Sequence, residues 1–150
     1  MVDEATNNPL TKDTLIYVRP NWYHYFRKIK KLKNIQLVPD LPYNGNKQQD
    51  DPFHWGSGGF AVLLAATLGQ KEIDIYGFDL YPMHNRVNNI YKNTPHYVKS
   101  DGQAVDPSYW VYQISKVFEN FPECRFRLHN TRDWPLPDEW RKNNVELVDI

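Results

Sequence analysis

The stretch Phe60-Ala-Val-Leu-Leu-Ala-Ala-Thr-Leu68 constrains this chain more than any other. Gly56-Ser-Gly-Gly59 opens it and Gly69 stops it, and its apolar residues occupy every side of a helical repeat. A helix of that kind has no solvent face and belongs at the centre of a core. After a very short connection, Glu72-Ile-Asp-Ile-Tyr76 reads as a strand with Gly77-Phe-Asp79 at its carboxyl end.

Similar units flank this one. Thr14-Leu-Ile-Tyr-Val-Arg19 is a β-branched, aromatic strand closed by Pro20. Asn21 then caps a helix that places Trp22, Phe26, Ile29 and Leu32 on one face. Asn34-Ile-Gln-Leu-Val-Pro39 is a second strand. A helix from Ser108 to about Asn120 turns Trp110, Ile114, Val117 and Phe118 inward. Arg125-Phe-Arg-Leu-His129 is a further strand, and Val145-Glu-Leu-Val-Asp-Ile150 a last one. Strands alternating with helices predict an α/β fold: a single Rossmann-like domain over residues 1–150, with a mainly parallel sheet flanked by helices. The strands near 14–19, 34–39, 72–77 and 125–130 are expected in one sheet, with the helix over 60–68 packed on it.

At 150 residues the chain suits one domain and needs no disulfide or metal to fold. Its 18 basic and 18 acidic residues balance, which removes the bulk-charge argument for a nucleic-acid or membrane partner. The basic run Arg27, Lys28, Lys30, Lys31 and Lys33 falls largely on the helix face opposite Trp22, Phe26, Ile29 and Leu32 and reads first as a solvated surface, with a phosphate or glycan-anion contact as the alternative. No stretch has the apolar length of a membrane span and the N-terminus lacks secretory features, so a soluble, cytoplasmic protein is expected. Lone Cys124 precludes an internal disulfide and reads as an inert thiol.

The two long loops carry most of the candidate chemistry. Residues 40–55 are polar and without periodicity, as are residues 80–106, which hold Tyr81, His84, Asn85, Asn88, Asn89, Tyr91, His96 and Tyr97. Loops of this length are more often binding loops or lids than filler. Ligands of open α/β sheets bind beyond the carboxyl ends of the strands, which directs attention to 77–81, the loop before Gly56 and the segment after Arg19. The Gly56-Ser57-Gly58-Gly59 turn is either an anion site, where bare backbone amides open a helix, or a device for tight packing. The five histidines show no zinc-type pairing, and Asp50-Asp51 reads as a solvated acidic turn in preference to a Mg²⁺ or Mn²⁺ site, so no metal is expected.

The block Trp55-Gly-Ser-Gly-Gly-Phe-Ala-Val-Leu-Leu-Ala-Ala-Thr-Leu-Gly-Gln-Lys-Glu-Ile-Asp-Ile-Tyr-Gly-Phe-Asp79 closely resembles sialylmotif S of the eukaryotic-type sialyltransferases, and bacterial sialyltransferases carry a similar block. His96-Tyr97 looks like the family's motif III, and the helix from Ser108 with Arg125-Phe-Arg-Leu-His-Asn130 resembles its closing helix and strand. The likeness runs from about 54 to 130. It implies a glycosyltransferase with a CMP-activated sugar as donor substrate, a glycan acceptor and no metal or other cofactor. It also implies nucleotide contacts at Ser57, Gly58, Gly59, Gly77, Phe78, Asp79 and Tyr97. No counterpart of the family's N-terminal glycine- and asparagine-bearing motif occurs, so the likeness is to the C-terminal half of such a fold. Where the family has a catalytic histidine, one alignment offers Val105, with Trp110 five residues on, and another offers Ser100.

Inverting transfer of a sialyl group needs a base for the acceptor hydroxyl, a stabiliser for the departing phosphate and a dry pocket. His96 is the best candidate for catalysis, since imidazole titrates near neutral pH and donates a hydrogen bond to phosphate; its alternative is a solvated loop histidine. Asp79 and Asp106 read as carboxylate bases or as capping residues. The competing class is a non-catalytic nucleotide- or carbohydrate-binding or interaction domain that kept the fold.

Overall fold

The structure, a computed structural model, describes residues 7, 12–78, 80, 81, 86, 93–95, 99, 101, 102 and 106–150. The chain divides into two compact units, residues 1–41 and 42–150. It is mixed α/β, with a small parallel sheet in each unit.

In the first unit β1 (Ile16–Val18) runs parallel to β2 (Ile35–Leu37), with Ile16 opposite Ile35 and Val18 opposite Leu37. Asn34 ties the strand starts together, its side-chain amide donating to the carbonyls of Lys12 at 3.0 Å and Thr14 at 2.7 Å. The connection is α1 (Pro20–His24), which widens into a π-helical turn over Tyr25–Ile29. Two sequence expectations are corrected in this segment. Arg19, not Asn21, is the N-cap, and Pro20 is the first helical residue, where its missing N–H costs nothing and its fixed φ already fits. The helix ends at Ile29 and not at Leu32, because Lys31 takes a left-handed φ of 56°. The Arg27 guanidinium donates to the carbonyls of Leu32 and Lys33 beyond this stop, at 3.2 Å and 2.6 Å. In the wider turn the Lys30 N–H reaches the Tyr25 carbonyl five residues back, and Ile29 is left 62% exposed, off the face that ordinary helical spacing assigns to it.

The second unit holds 3₁₀ turns at Gln48–Asp50 and Pro52–His54, then α2 (Ser57–Thr67), β3 (Glu72–Tyr76), α3 (Ser108–Asn120), β4 (Arg125–Asn130), a 3₁₀ turn at Asp138–Trp140 and β5 (Val145–Asp149). The sheet order is β3-β4-β5, all parallel, with Asp74 opposite Arg127 and Tyr76 opposite His129. The four strands expected in one sheet therefore divide between two, and β4 takes β5 as its second neighbour. Strand-forming residues specify a strand, not its lateral partner, and three-residue β1 and β2 satisfy each other across a local connection.

Phe118, Phe126 and Trp140 fill the core of this unit, each at 1% exposure or less. Phe118 meets Phe126 at 4.6 Å and stands edge-on to Trp140 at 5.6 Å. The Trp140 indole can be buried because its N–H donates to the Val111 carbonyl at 2.8 Å. α3 buries Val111, Ile114, Val117 and Phe118 as its spacing requires, while Trp110 at its start is 37% exposed and not inward as expected. α2 corrects a further expectation. It buries Phe60, Val62, Leu63 and Ala66 but leaves Ser57, Gly58, Ala61 and Thr67 exposed, so one face is covered and small residues occupy the other, and Leu68 just past its end is 62% exposed.

The sheet is likewise one-sided. Ile75, Phe126 and Leu128 are buried beside the helices, whereas Glu72, Asp74 and Tyr76 alternate with them on β3, as do Arg125, Arg127 and His129 on β4. Arg125 pairs with Glu146 at 2.6 Å and Arg127 with Asp74 at 2.6 Å and Glu72 at 3.1 Å. Cross-strand charges thus coat a face that parallel sheets ordinarily bury. Among the described residues, no helix is long and apolar enough to cross a membrane.

Candidate functional site

The carboxyl end of β3 and the first turns of α2 and α3 meet at one rim, and glycines make the meeting possible. Gly56 is the extended N-cap of α2, with φ −76° and ψ 159°, and has no side chain with which to cap the first-turn amides. A Cβ on Gly58 would lie 2.9 Å from Cζ of Phe78, one on Gly56 3.3 Å from Nε1 of Trp110, and one on Gly59 3.3 Å from the Trp55 ring. Each of the three bare positions accommodates an aromatic ring. Gly77 is different, since a Cβ there meets nothing but its φ of +73° is left-handed. That turn breaks the alternation of β3. Phe78 would otherwise follow Tyr76 onto the charged face, and instead it lies over the start of α2.

Ser57, Gly58, Gly59, Gly77 and Phe78, five of the expected nucleotide contacts, are therefore brought to one place, with Ser57 and Gly58 exposed. Asp79, Tyr97 and the candidate base His96 lie outside the described residues, as do Ser100 and Val105. Asp106 stands one residue before the N-cap of α3, Pro107, and its Oδ1 accepts the first-turn N–H of Ser108 at 2.9 Å.

A second group stands on the charged face at the same end of the sheet. The imidazole of His129 stacks on the ring of Tyr76, with centroids 4.1 Å apart and planes 11° from parallel. Its Nε2 lies 2.5 Å from Oδ1 of Asp74, whose carboxylate also accepts Nε and Nη2 of Arg127 at 2.8 Å and 2.6 Å. The Arg127 hydrogen bonds, then that of His129, hold the Asp74 carboxyl down to about 2. At neutral pH the carboxylate is ionised and orients the imidazole through one nitrogen, as the carboxylate of a catalytic triad orients its histidine. Sequence reasoning did not single out this pair, counting His129 only among five unpaired histidines. The available signal was Glu72-x-Asp74-x-Tyr76 and Arg125-x-Arg127-x-His129, two period-two polar triplets of opposite charge in neighbouring strands.

Two cautious expectations have different outcomes. Of the Asp50-Asp51 pair, Asp51 is exposed as a solvated turn requires, whereas Asp50 is 9% exposed, its Oδ2 accepting the Lys47 N–H at 2.9 Å. Burial pushes its carboxyl up, yet the Lys47 N–H and the neighbouring Tyr112 and Tyr43 hydroxyls outweigh this and hold it below its ordinary value. The Tyr43 hydroxyl acts through proximity, since neither it nor Asp50 Oδ1 makes a hydrogen bond of good geometry. Cys124 is buried, and burial pushes its thiol up, away from the reactive thiolate. Among the described residues, no group of three or more His, Cys, Asp or Glu side chains is arranged to hold a metal ion. Comparison with protein-family models, with curated proteins and with solved structures gives no match.

Proposed function

We propose that this chain is a sialyltransferase-like domain of Rossmann-like type that transfers a sugar from a CMP-activated donor to a glycan acceptor. The observation carrying the proposal is the junction of the Gly56–Gly59 turn with Gly77-Phe78 at the carboxyl end of β3. It unites the two ends of the sequence block that resembles sialylmotif S. In this reading the uncapped first-turn amides of α2 face the donor phosphate, where a helix start favours negative charge. Phe78 offers a ring edge to the nucleotide, and Asp79 and Tyr97 complete its contacts. His96 takes the acceptor proton or donates to the leaving phosphate. His129, aligned by Asp74, is a second imidazole at the same end of the sheet.

A non-catalytic nucleotide- or carbohydrate-binding domain is the second reading, favoured by one observation. Phe78, Trp110 and Trp55 account for three glycines by packing alone. Calorimetric titration with CMP and an assay with CMP-sialic acid and a panel of galactosides separate the readings. Transfer reduced about 10²–10⁴-fold by His96→Ala, the usual cost of losing a general base, supports the enzyme and its base. The same loss in His129→Gln alone moves that role to His129. Binding without turnover supports the second reading, and no heat with CMP at millimolar concentration refutes both as nucleotide sites.

A further inference from the structure

We infer that the exposed face of α1 and its π-helical turn docks on an anionic phospholipid surface. Overall neutrality hides a segregated charge: residues 14–39 contain Arg19, Arg27, Lys28, Lys30, Lys31 and Lys33 and no Asp or Glu, and the compensating acids lie elsewhere in the chain. On this cationic segment three large apolar side chains face solvent, with Trp22 47%, Tyr25 38% and Ile29 62% exposed. Lys28, Lys30, Lys31 and Lys33 are exposed alongside them. The rings are held in place, Trp22 stacked on the half-buried Phe26 at 5.8 Å and Tyr25 covered by the Lys30 ammonium at 5.8 Å.

The combination selects the partner. Tryptophan and tyrosine settle at headgroup depth, an aliphatic side chain reaches the acyl boundary, and lysine stems let their ammonium groups meet lipid phosphates. A nucleic acid would use the lysines and leave Ile29 in water. An anionic bilayer engages both sets: Ile29 is 62% exposed between Lys28 and Lys30 in sequence, and the Lys30 ammonium already lies against the exposed Tyr25 ring.

The full chain is tested by co-sedimentation with vesicles of phosphatidylcholine alone and of phosphatidylcholine containing about one-third phosphatidylglycerol, at low and high salt. Binding is expected only to the anionic vesicles and is expected to fall with salt. Lys30→Gln and Lys31→Gln each reduce it about fivefold, and Trp22→Ser or Ile29→Ser about tenfold. Ile29, the most exposed of the three, keeps the test valid if Trp22→Ser does not fold. Absence of the protein from sedimented anionic vesicles overturns the inference. So does anionic binding that Ile29→Ser leaves unchanged, which with equal retention on heparin identifies simple polyanion attraction.

Discussion

Replacing Gly58 by alanine asks whether that glycine serves packing or ligand approach. The added methyl would lie 2.9 Å from the Phe78 ring, inside any ordinary carbon contact, so the half-buried ring must shift as a rigid whole to admit it. Overpacking of this kind costs about 1–3 kcal/mol. Alanine returns some of that in helix propensity, up to ~1 kcal/mol in a helix interior and less in the first turn. The net loss expected is about 1–2 kcal/mol, seen as a Tm lowered by roughly 2–8 °C. In a Phe78→Ala background the clash is absent and the propensity gain remains, so the same substitution becomes neutral or slightly stabilising. Urea denaturation of the wild type, both single variants and the double variant closes the cycle, with a coupling of about 1–3 kcal/mol expected. Equal effects of Gly58→Ala in the two backgrounds would show that the ring does not explain the glycine.

Two further substitutions probe the sheet and the core. Asp74 has its carboxyl held at about 2 in the folded protein, below the ordinary carboxylate value near 3.9. Its contribution to stability is complete above that ordinary value and is lost as pH falls towards 2, so Asp74→Asn should flatten the acid side of a stability profile measured by urea midpoint. Profiles that stay parallel would refute this. Trp140→Phe removes the bond to the Val111 carbonyl and part of a fully buried ring, and about 2–3 kcal/mol of destabilisation by urea unfolding is expected, a loss below about 0.5 kcal/mol counting against it.

What the sequence disclosed depended on how local the cause was. α3 is legible because Ile114, Val117 and Phe118 recur at helical spacing and all three are buried. Strands β3 and β4 are legible from their β-forming residues, and the meeting of the turn before α2 with residues 77–78 was expected from the carboxyl end of β3, but the packing of Phe78 on Gly58 was not. The division into two sheets was hidden, since lateral pairing is set by register between distant segments. The π-helical turn was hidden because the same aromatic residues suit both windings. Burial of Asp50 depends on a neighbour that spacing cannot reveal: a Cβ on Gly45 would overlap the Asp50 carboxyl group, so the missing side chain makes room for the charge. His129 and Asp74 became a pair only when Tyr76 was set opposite His129.

The order of strands in the three-stranded sheet also governs how the chain reaches its native state. The Arg125–Glu146 bridge between β4 and β5 spans 21 residues, whereas the Arg127–Asp74 bond between β4 and β3 spans 53. Closing the longer loop costs about 0.8 kcal/mol more in chain entropy. α3, β4, the Trp140 turn and β5 are contiguous and share the aromatic core, so they form a folding unit that can condense on short-range contacts. β3 and α2 then dock along the remaining side of β4. Chain entropy therefore favours forming the strand pair β4–β5 before the rim that bears Gly58, Gly77 and Phe78 is closed over it.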